Sequence, residues 1–398
     1  MYILHAGGIV LKLSLLGSVL FIFAFAYAAE SDDPVAPWRE GVKVAPAVPV
    51  SERHAIHTYF NVNPESPDGK RLLYFTSTAR DGQSGEIRML ERATGEEKIL
   101  VRNLRTEDAH RVACQQWISG GKRVVFHDER NGEWVIACVD VESGEEKILA
   151  RDRLLCWGRP ETDLVPIYGK HWNPGPHRDL EILNVATGEI RKVLTAEKVL
   201  AAYPQWAAQN FGAISPTIFF PVLSPDLKRV FFKMAAAGNG DPRSKGASKR
   251  LGLLVYDIDG GKMLFKRDQW GHPAWHPDSR QIIETANDVI DTTTGQVARI
   301  PGLPNYGSGH PSASPDGKLV VTDTTLERFG GTKNDWGIVV MDLRGGTPAT
   351  VHSFDNSRGA SSWRKTHPHP VFSADGKRIY FNVSTSEWVQ LYVAERRP

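Results

Sequence analysis

Thr366-His-Pro-His-Pro-Val-Phe-Ser-Ala-Asp-Gly-Lys-Arg-Ile-Tyr-Phe381 joins two histidines, two residues apart, to a turn and then to a β-forming run. On an extended strand, residues i and i+2 face the same side, so His367 and His369 are expected to share one face. The turn Ser373-Ala-Asp-Gly376 has a reason for its residues: Asp bonds back to the local backbone, and Gly takes the left-handed conformation without steric cost. The residues after it are β-branched or aromatic, as strands prefer.

Outward from this stretch the same unit recurs. Pro64-Glu-Ser-Pro-Asp-Gly69 precedes Lys70-Arg-Leu-Leu-Tyr-Phe75, and further copies occupy 119–126, 224–232, 276–283 and 314–321, with a degenerate copy at 161–168. A second signature follows most of them, as in Arg92-Ala-Thr-Gly-Glu-Glu-Lys98 and Val141-Glu-Ser-Gly-Glu-Glu-Lys147, and reads as the outer hairpin of each unit. Two hairpins per unit, repeated seven times at roughly fifty residues, is the pattern of a β-propeller with four-stranded blades. Sandwiches do not repeat turn chemistry in this way, and solenoid repeats are shorter. The expected architecture is therefore all-β: a single seven-bladed propeller over 57–398, preceded by an extended lead-in over 29–56 that adds a strand to the last blade. Two insertions interrupt the repeat, at 170–179 and at the Gly/Ser/Lys-rich 235–250. The second reads either as a solvated loop or as a lid that attracts an anion.

Residues 1–28 read as a secretory signal peptide: Lys12, an apolar stretch over 13–25, and Ala26-Tyr-Ala28 before Ala29. The apolar core is about 13 to 15 residues, short of the roughly 20 needed to span a bilayer. A periplasmic or secreted location is expected, with no membrane attachment after cleavage. The whole chain holds 48 basic and 46 acidic residues, a balance that points to no nucleic acid and no anionic membrane surface. An acidic partner would have to be met by local basic groups. Cys114, Cys138 and Cys156, with no CxxC spacing, read as small buried residues.

Inner blade strands surround a central channel, so the segments just before the turns are the place to look for chemistry. Gly271-His272-Pro273, Gly309-His310-Pro311 and His367-Pro-His369-Pro370 recur at one position of three consecutive blades. That recurrence brings the side chains together in the ring. Imidazole ligates manganese, zinc, iron or nickel, and three such ligands leave positions open for substrate, which suits His310, His367 and His369. The alternative is that His-Pro is a strand-entry habit and each histidine bonds to backbone.

The ordered series H-T-Y-F at 57–60, H-R at 110–111, C-Q-Q-W-I at 114–118, W-G-H-P at 270–273, G-H-P-S-A-S-P-D-G at 309–317, V-T-D at 321–323 and H-P-H-P-V-F-S-A-D-G-K-R at 367–378 resembles the oligogalacturonate lyases, which are seven-bladed propellers. The resemblance implies a divalent cation, usually manganese, held by His310, His367 and His369. It implies His272 as general base, helped by an upstream arginine for which Arg250 is the nearest candidate and Arg243 a more distant one. Arg364 stands where that family keeps a glutamine ligand, and arginine cannot ligate a cation. Either three histidines and water hold the ion, or Arg364 meets a substrate carboxylate in its place, or the activity has drifted. His57, Tyr59, His110, Arg111 and Gln115 are candidates to line the same mouth, with His57, His110, Arg111 and Arg364 as substrate contacts. Asp323 would orient a ligand histidine from behind.

The implied function is β-elimination on oligogalacturonate or a related acidic oligosaccharide. The rival is a non-catalytic, Tol-type periplasmic propeller that binds sugar or protein. A prolyl-oligopeptidase-like reading is disfavoured, because the sequence carries no hydrolase domain and no GxSxG.

Overall fold

The computed structural model describes residues 33–397 except 109, 245, 270, 286, 303–308 and 361–366. The expected signal peptide and Arg364 lie outside the described residues.

Each Ser-Pro-Asp-Gly turn closes the same way. Ser66 Oγ donates to Asp68 Oδ1 at 2.6 Å and accepts from the Arg71 amide at 3.0 Å, while Asp68 accepts from the Lys70 amide at 3.1 Å. Ser224 with Asp226, Ser314 with Asp316 and Ser373 with Asp375 repeat that cage. The fourth turn residue is left-handed in every case, at φ 72° for Gly69 and 68° for Gly376, and also at 62° where Leu227 replaces glycine. These turns lead into the second strand of the blade, whose consecutive residues are buried on both faces, as in Arg71–Ser77 and Arg378–Val383.

Twenty-eight strands among the described residues form seven four-stranded antiparallel sheets arranged as the blades of a propeller. The inner strands, from His54–Ile56 in blade 1 to Val371–Phe372 in blade 7, are mostly buried and, apart from the seven-residue Thr217–Leu223 of blade 4, short. Outer strands such as Val297–Arg299 are exposed. His54–Ile56 belongs to the first blade, so the ring begins three residues before the boundary expected at His57. The lead-in is not extended throughout, since Ala36–Arg39 forms a short helix, but it adds the expected strand: Lys43–Pro46 pairs antiparallel with the last strand, Gln390–Glu395, in the register Lys43↔Glu395 to Pro46↔Tyr392. A buried carboxylate reinforces the seam. Glu65 of blade 1 accepts from Arg378 Nε at 2.9 Å and from the Tyr380 hydroxyl at 2.9 Å, both of blade 7.

The core lies between blades and includes Trp117, Trp157, Tyr168, Phe126, Phe219 and Phe231, all essentially inaccessible. Burying each side chain of this kind contributes roughly 1.5–3 kcal/mol. The three cysteines are free and buried, as expected, and burial pushes Cys138 and Cys156 up to about 12. The link between blades 3 and 4 is helical, Ala196–Ala202 followed by Pro204–Phe211, an element the all-β reading did not include. Thr195 caps the first of these helices by accepting from the Lys198 amide. No helix among the described residues is long and apolar enough to cross a membrane.

Candidate active site

At one mouth of the channel a cavity of about 220 Å³ is lined by Tyr59, Asp108, His110, Arg111, Phe219, Phe220, Arg250, His272, His310 and His367. His369 lies beneath it. The rings of His272 and His310 are 4.3 Å apart between centroids, those of His310 and His369 4.5 Å, and those of His310 and His367 5.1 Å. His110 joins from the link between blades 1 and 2, with its ring 4.7 Å from that of His367. The ligand nitrogens of His110, His367 and His369 all lie within 4.8 Å of one another. His310 was expected as the third ligand and His110 as a substrate contact; the fold instead groups the His110 nitrogen with those of His367 and His369 and sets the His310 ring beside them.

The expectation that His367 and His369 share the face of a strand does not hold. Both precede the strand Val371–Phe372, and His369 is left-handed at φ 48°. Pro370 disfavours the right-handed helical region for the residue before it. A left-handed non-glycine costs roughly 1–2 kcal/mol, which the surrounding bonds must offset. His57 supplies one: its Nε2 is 2.7 Å from the His369 carbonyl. Asp323 supplies another, accepting from the His369 amide at 3.1 Å. His57 is wholly enclosed and supports the His369 backbone; it does not line the cavity. Gln115 is likewise buried and does not line the cavity, whereas Tyr59 does and packs its ring 4.4 Å from that of His369.

His369 is fully buried, and neither of its ring nitrogens has a hydrogen-bond partner among the described residues. An unpaired buried polar group costs about 1–3 kcal/mol. Burial pushes its pKa well below the ordinary histidine value, with the neighbouring histidines adding to the effect, so the ring is neutral and carries a lone pair. Imidazoles converging in this way suit a divalent first-row cation. The residues present therefore fit a metal site.

Asp323 sits behind His310 as expected. Its carboxylate is 2.9 and 3.0 Å from His310 Nδ1 and also accepts from the His310 amide at 2.7 Å. Burial works to raise the Asp323 pKa, but the His310 ring and its hydrogen bond hold it below the usual value. With Nδ1–H donating to the carboxylate, Nε2 becomes the lone-pair nitrogen of His310.

The cationic wall is built from the link between blades 1 and 2 and from blade 4. The Arg250 guanidinium lies 4.7 Å from the Phe219 ring centroid, with that of Arg111 at 5.6 Å. Arg111 is held by both oxygens of Glu107 and by the Tyr168 hydroxyl, the latter at 3.1 Å. Arg243, the more distant arginine candidate, donates to the Thr106 carbonyl at 2.9 Å and so docks the 235–250 insertion onto the link that carries Glu107. Lys233, buried in the apolar strand Arg229–Ala237, donates to the Gly271 carbonyl at 2.6 Å, next to His272. Burial pushes its pKa well below the ordinary lysine value, opposed by the Glu284 carboxylate. Glu107, His171 and Lys233 were not singled out by the sequence. A charged residue inside Val230-Phe-Phe-Lys-Met-Ala-Ala236 was the one visible signal for Lys233.

No protein-family model matches the chain, and no curated protein matches it by sequence. Among solved structures it resembles an oligogalacturonate lyase in complex with manganese, at TM-score 0.60 and 18% identity, covering 89% of this chain and 93% of that one. An oligogalacturonate lyase from Vibrio parahaemolyticus superposes at TM-score 0.61 and 17% identity, with the same coverage. A prolyl endopeptidase superposes at TM-score 0.52 and 12% identity, covering 90% of this chain and 50% of that chain. At these identities the likeness is one of fold, and over 89% of its length this chain is folded like the oligogalacturonate lyases.

Proposed function

We propose that this protein is an exported lyase that cleaves oligogalacturonate or a related acidic oligosaccharide by cation-assisted β-elimination. The observation that carries the reading is the buried His369 imidazole, without a hydrogen-bond partner among the described residues and set among His110, His310 and His367, in one mouth with His272 and Arg250. The family resemblance in the sequence and the fold likeness to a manganese-bound lyase support it.

The proton α to a uronate carboxylate is very weakly acidic while that carboxylate is a free anion. A divalent cation held by His110, His367 and His369, with His310 beside them, would pair with the carboxylate and stabilise the charge that develops as the proton leaves. Manganese is the ion proposed. His272 takes the proton, since a neutral imidazole near pH 7 is suited to that work. The electron pair of the broken C–H bond forms a carbon–carbon double bond, and the glycosidic oxygen leaves the neighbouring carbon. Arg250 meets the carboxylate or the developing charge from the opposite wall. Asp323 holds His310 in one tautomer, and Lys233 steadies the Gly271-His272 segment through the Gly271 carbonyl.

The test is to incubate the protein with galacturonate and other uronate oligosaccharides, with manganese or with a chelator, and follow the ultraviolet absorbance of the unsaturated product. Activity is expected with manganese and lost with chelator, and His272→Ala is expected to lower kcat by about 10²-fold or more. No product from any acidic sugar, together with no bound metal by elemental analysis, rejects the proposal.

A further inference from the structure

Arg250 does not stand alone on the cavity wall. Its Nε donates to Ser248 Oγ at 3.2 Å. Ser248 Oγ is 2.8 Å from His171 Nδ1, and His171 Nε2 is 2.9 Å from Glu107 Oε1. Glu107 in turn holds Arg111 through both carboxylate oxygens. Glu107 and His171 are completely buried.

One proton arrangement satisfies the whole series. Arg250 Nε–H donates to Ser248 Oγ, the Ser248 hydroxyl donates to His171 Nδ1, and His171 Nε2–H donates to the Glu107 carboxylate. Burial brings His171 down to about 4, so the ring is neutral and has one donor and one acceptor nitrogen to offer. Burial works to raise the Glu107 pKa, yet Arg111 and the His171 hydrogen bond hold it below the usual carboxylate range, so it is ionised and accepts only.

The series crosses three parts of the ring. Glu107 comes from the link between blades 1 and 2, His171 from the 170–179 insertion of blade 3, and Ser248 and Arg250 from the third strand of blade 4, Ser248–Asp257. Both insertions thus converge on one short link, which Arg243 also grips at Thr106. A long arginine side chain has much rotamer freedom to lose, and a guanidinium anchored through Nε and stacked on a ring presents its Nη atoms in a fixed direction.

We propose that Glu107, His171 and Ser248 form a hydrogen-bonded wire that aims Arg250 into the cavity, making these three the positioning residues for carboxylate recognition. The proposal rests on the reading of Arg250 as the group that meets an acidic sugar.

The test reads the Arg250 Nε–H directly by NMR in the whole chain, the resonance being identified by its loss in Arg250→Lys. Ser248→Ala and His171→Leu are expected to speed its solvent exchange by about tenfold, the equivalent of one lost hydrogen bond. His171→Gln is expected to preserve the slow exchange, because a glutamine amide also offers one donor and one acceptor. Exchange unchanged in Ser248→Ala, or lost equally in His171→Gln and His171→Leu, overturns the proposal. Should His171→Leu fail to fold, Ser248→Ala and His171→Gln still decide it. In calorimetry with trigalacturonate, Ser248→Ala is expected to weaken binding by about tenfold, again one hydrogen bond's worth. A wild-type protein that keeps the slow Arg250 exchange but binds no uronate overturns the lyase reading and leaves the wire standing.

Discussion

At the scale of single residues, Asp323 has the widest influence on the candidate site. One buried carboxylate fixes the His310 ring, the His310 amide and the His369 amide, and so sets two of the imidazoles at once. Groups that orient metal-binding histidines from behind commonly change metal affinity 10–100-fold when replaced. Asp323→Asn is therefore expected to weaken manganese binding by about that range, measured by titration calorimetry or by the electron paramagnetic resonance of the free ion. Affinity equal to wild type would remove Asp323 from that role. The sequence pointed to Asp323 as a strand-end residue in the same blade as His310, but the strand runs on through Leu319–Thr325 and Asp323 lies within it. The sequence did not point to Glu107, whose role depends on partners 64 residues away in the chain at His171.

At the scale of elements, the repeated turn was fully legible and its stabilising detail was not. Proline, aspartate and glycine announce the turn. The serine that cages the aspartate and receives the amide five residues on is seen only in three dimensions. Gly376 is a clean place to test the backbone requirement, since its φ is 68° and an added Cβ would meet nothing closer than 3.5 Å. Gly376→Ala should cost roughly 1–2 kcal/mol from the left-handed backbone alone, read as a lower urea midpoint with an unchanged m-value. No loss would show that the turn relaxes without strain. The helical link was missed because Thr195-Ala-Glu-Lys-Val-Leu-Ala-Ala202 carries only a short apolar face.

For the whole molecule, buried histidines make stability depend on pH. Burial brings His127 and His171 down to about 4, against roughly 6.5 in the unfolded chain. A depressed folded pKa means that the unfolded chain takes up the proton first as pH falls. The contribution is fully present above about 6.5 and is lost progressively toward 4, by up to roughly 3 kcal/mol per group. Most carboxylates stay ionised above about pH 5, so the interval between 7 and 5 isolates the histidines. The urea midpoint is expected to fall steadily across it, and a flat profile would mean that these rings are not buried neutral in solution.

The sequence by itself determined the propeller, the number of its blades and the strand that closes it, because turn chemistry and strand patterning are local and recur with the repeat. It also brought His272, His310, His367 and His369 to one mouth, since equivalent positions of consecutive blades must converge on the channel. Tertiary structure alone decided that His369 is kinked out of any strand, that His110 reaches across to it, and that His57 lies behind the cavity wall. It alone joined Glu107, His171 and Ser248 behind Arg250. Those contacts link residues far apart in the chain, and their geometry depends on how neighbouring blades pack, which no local pattern of residues encodes.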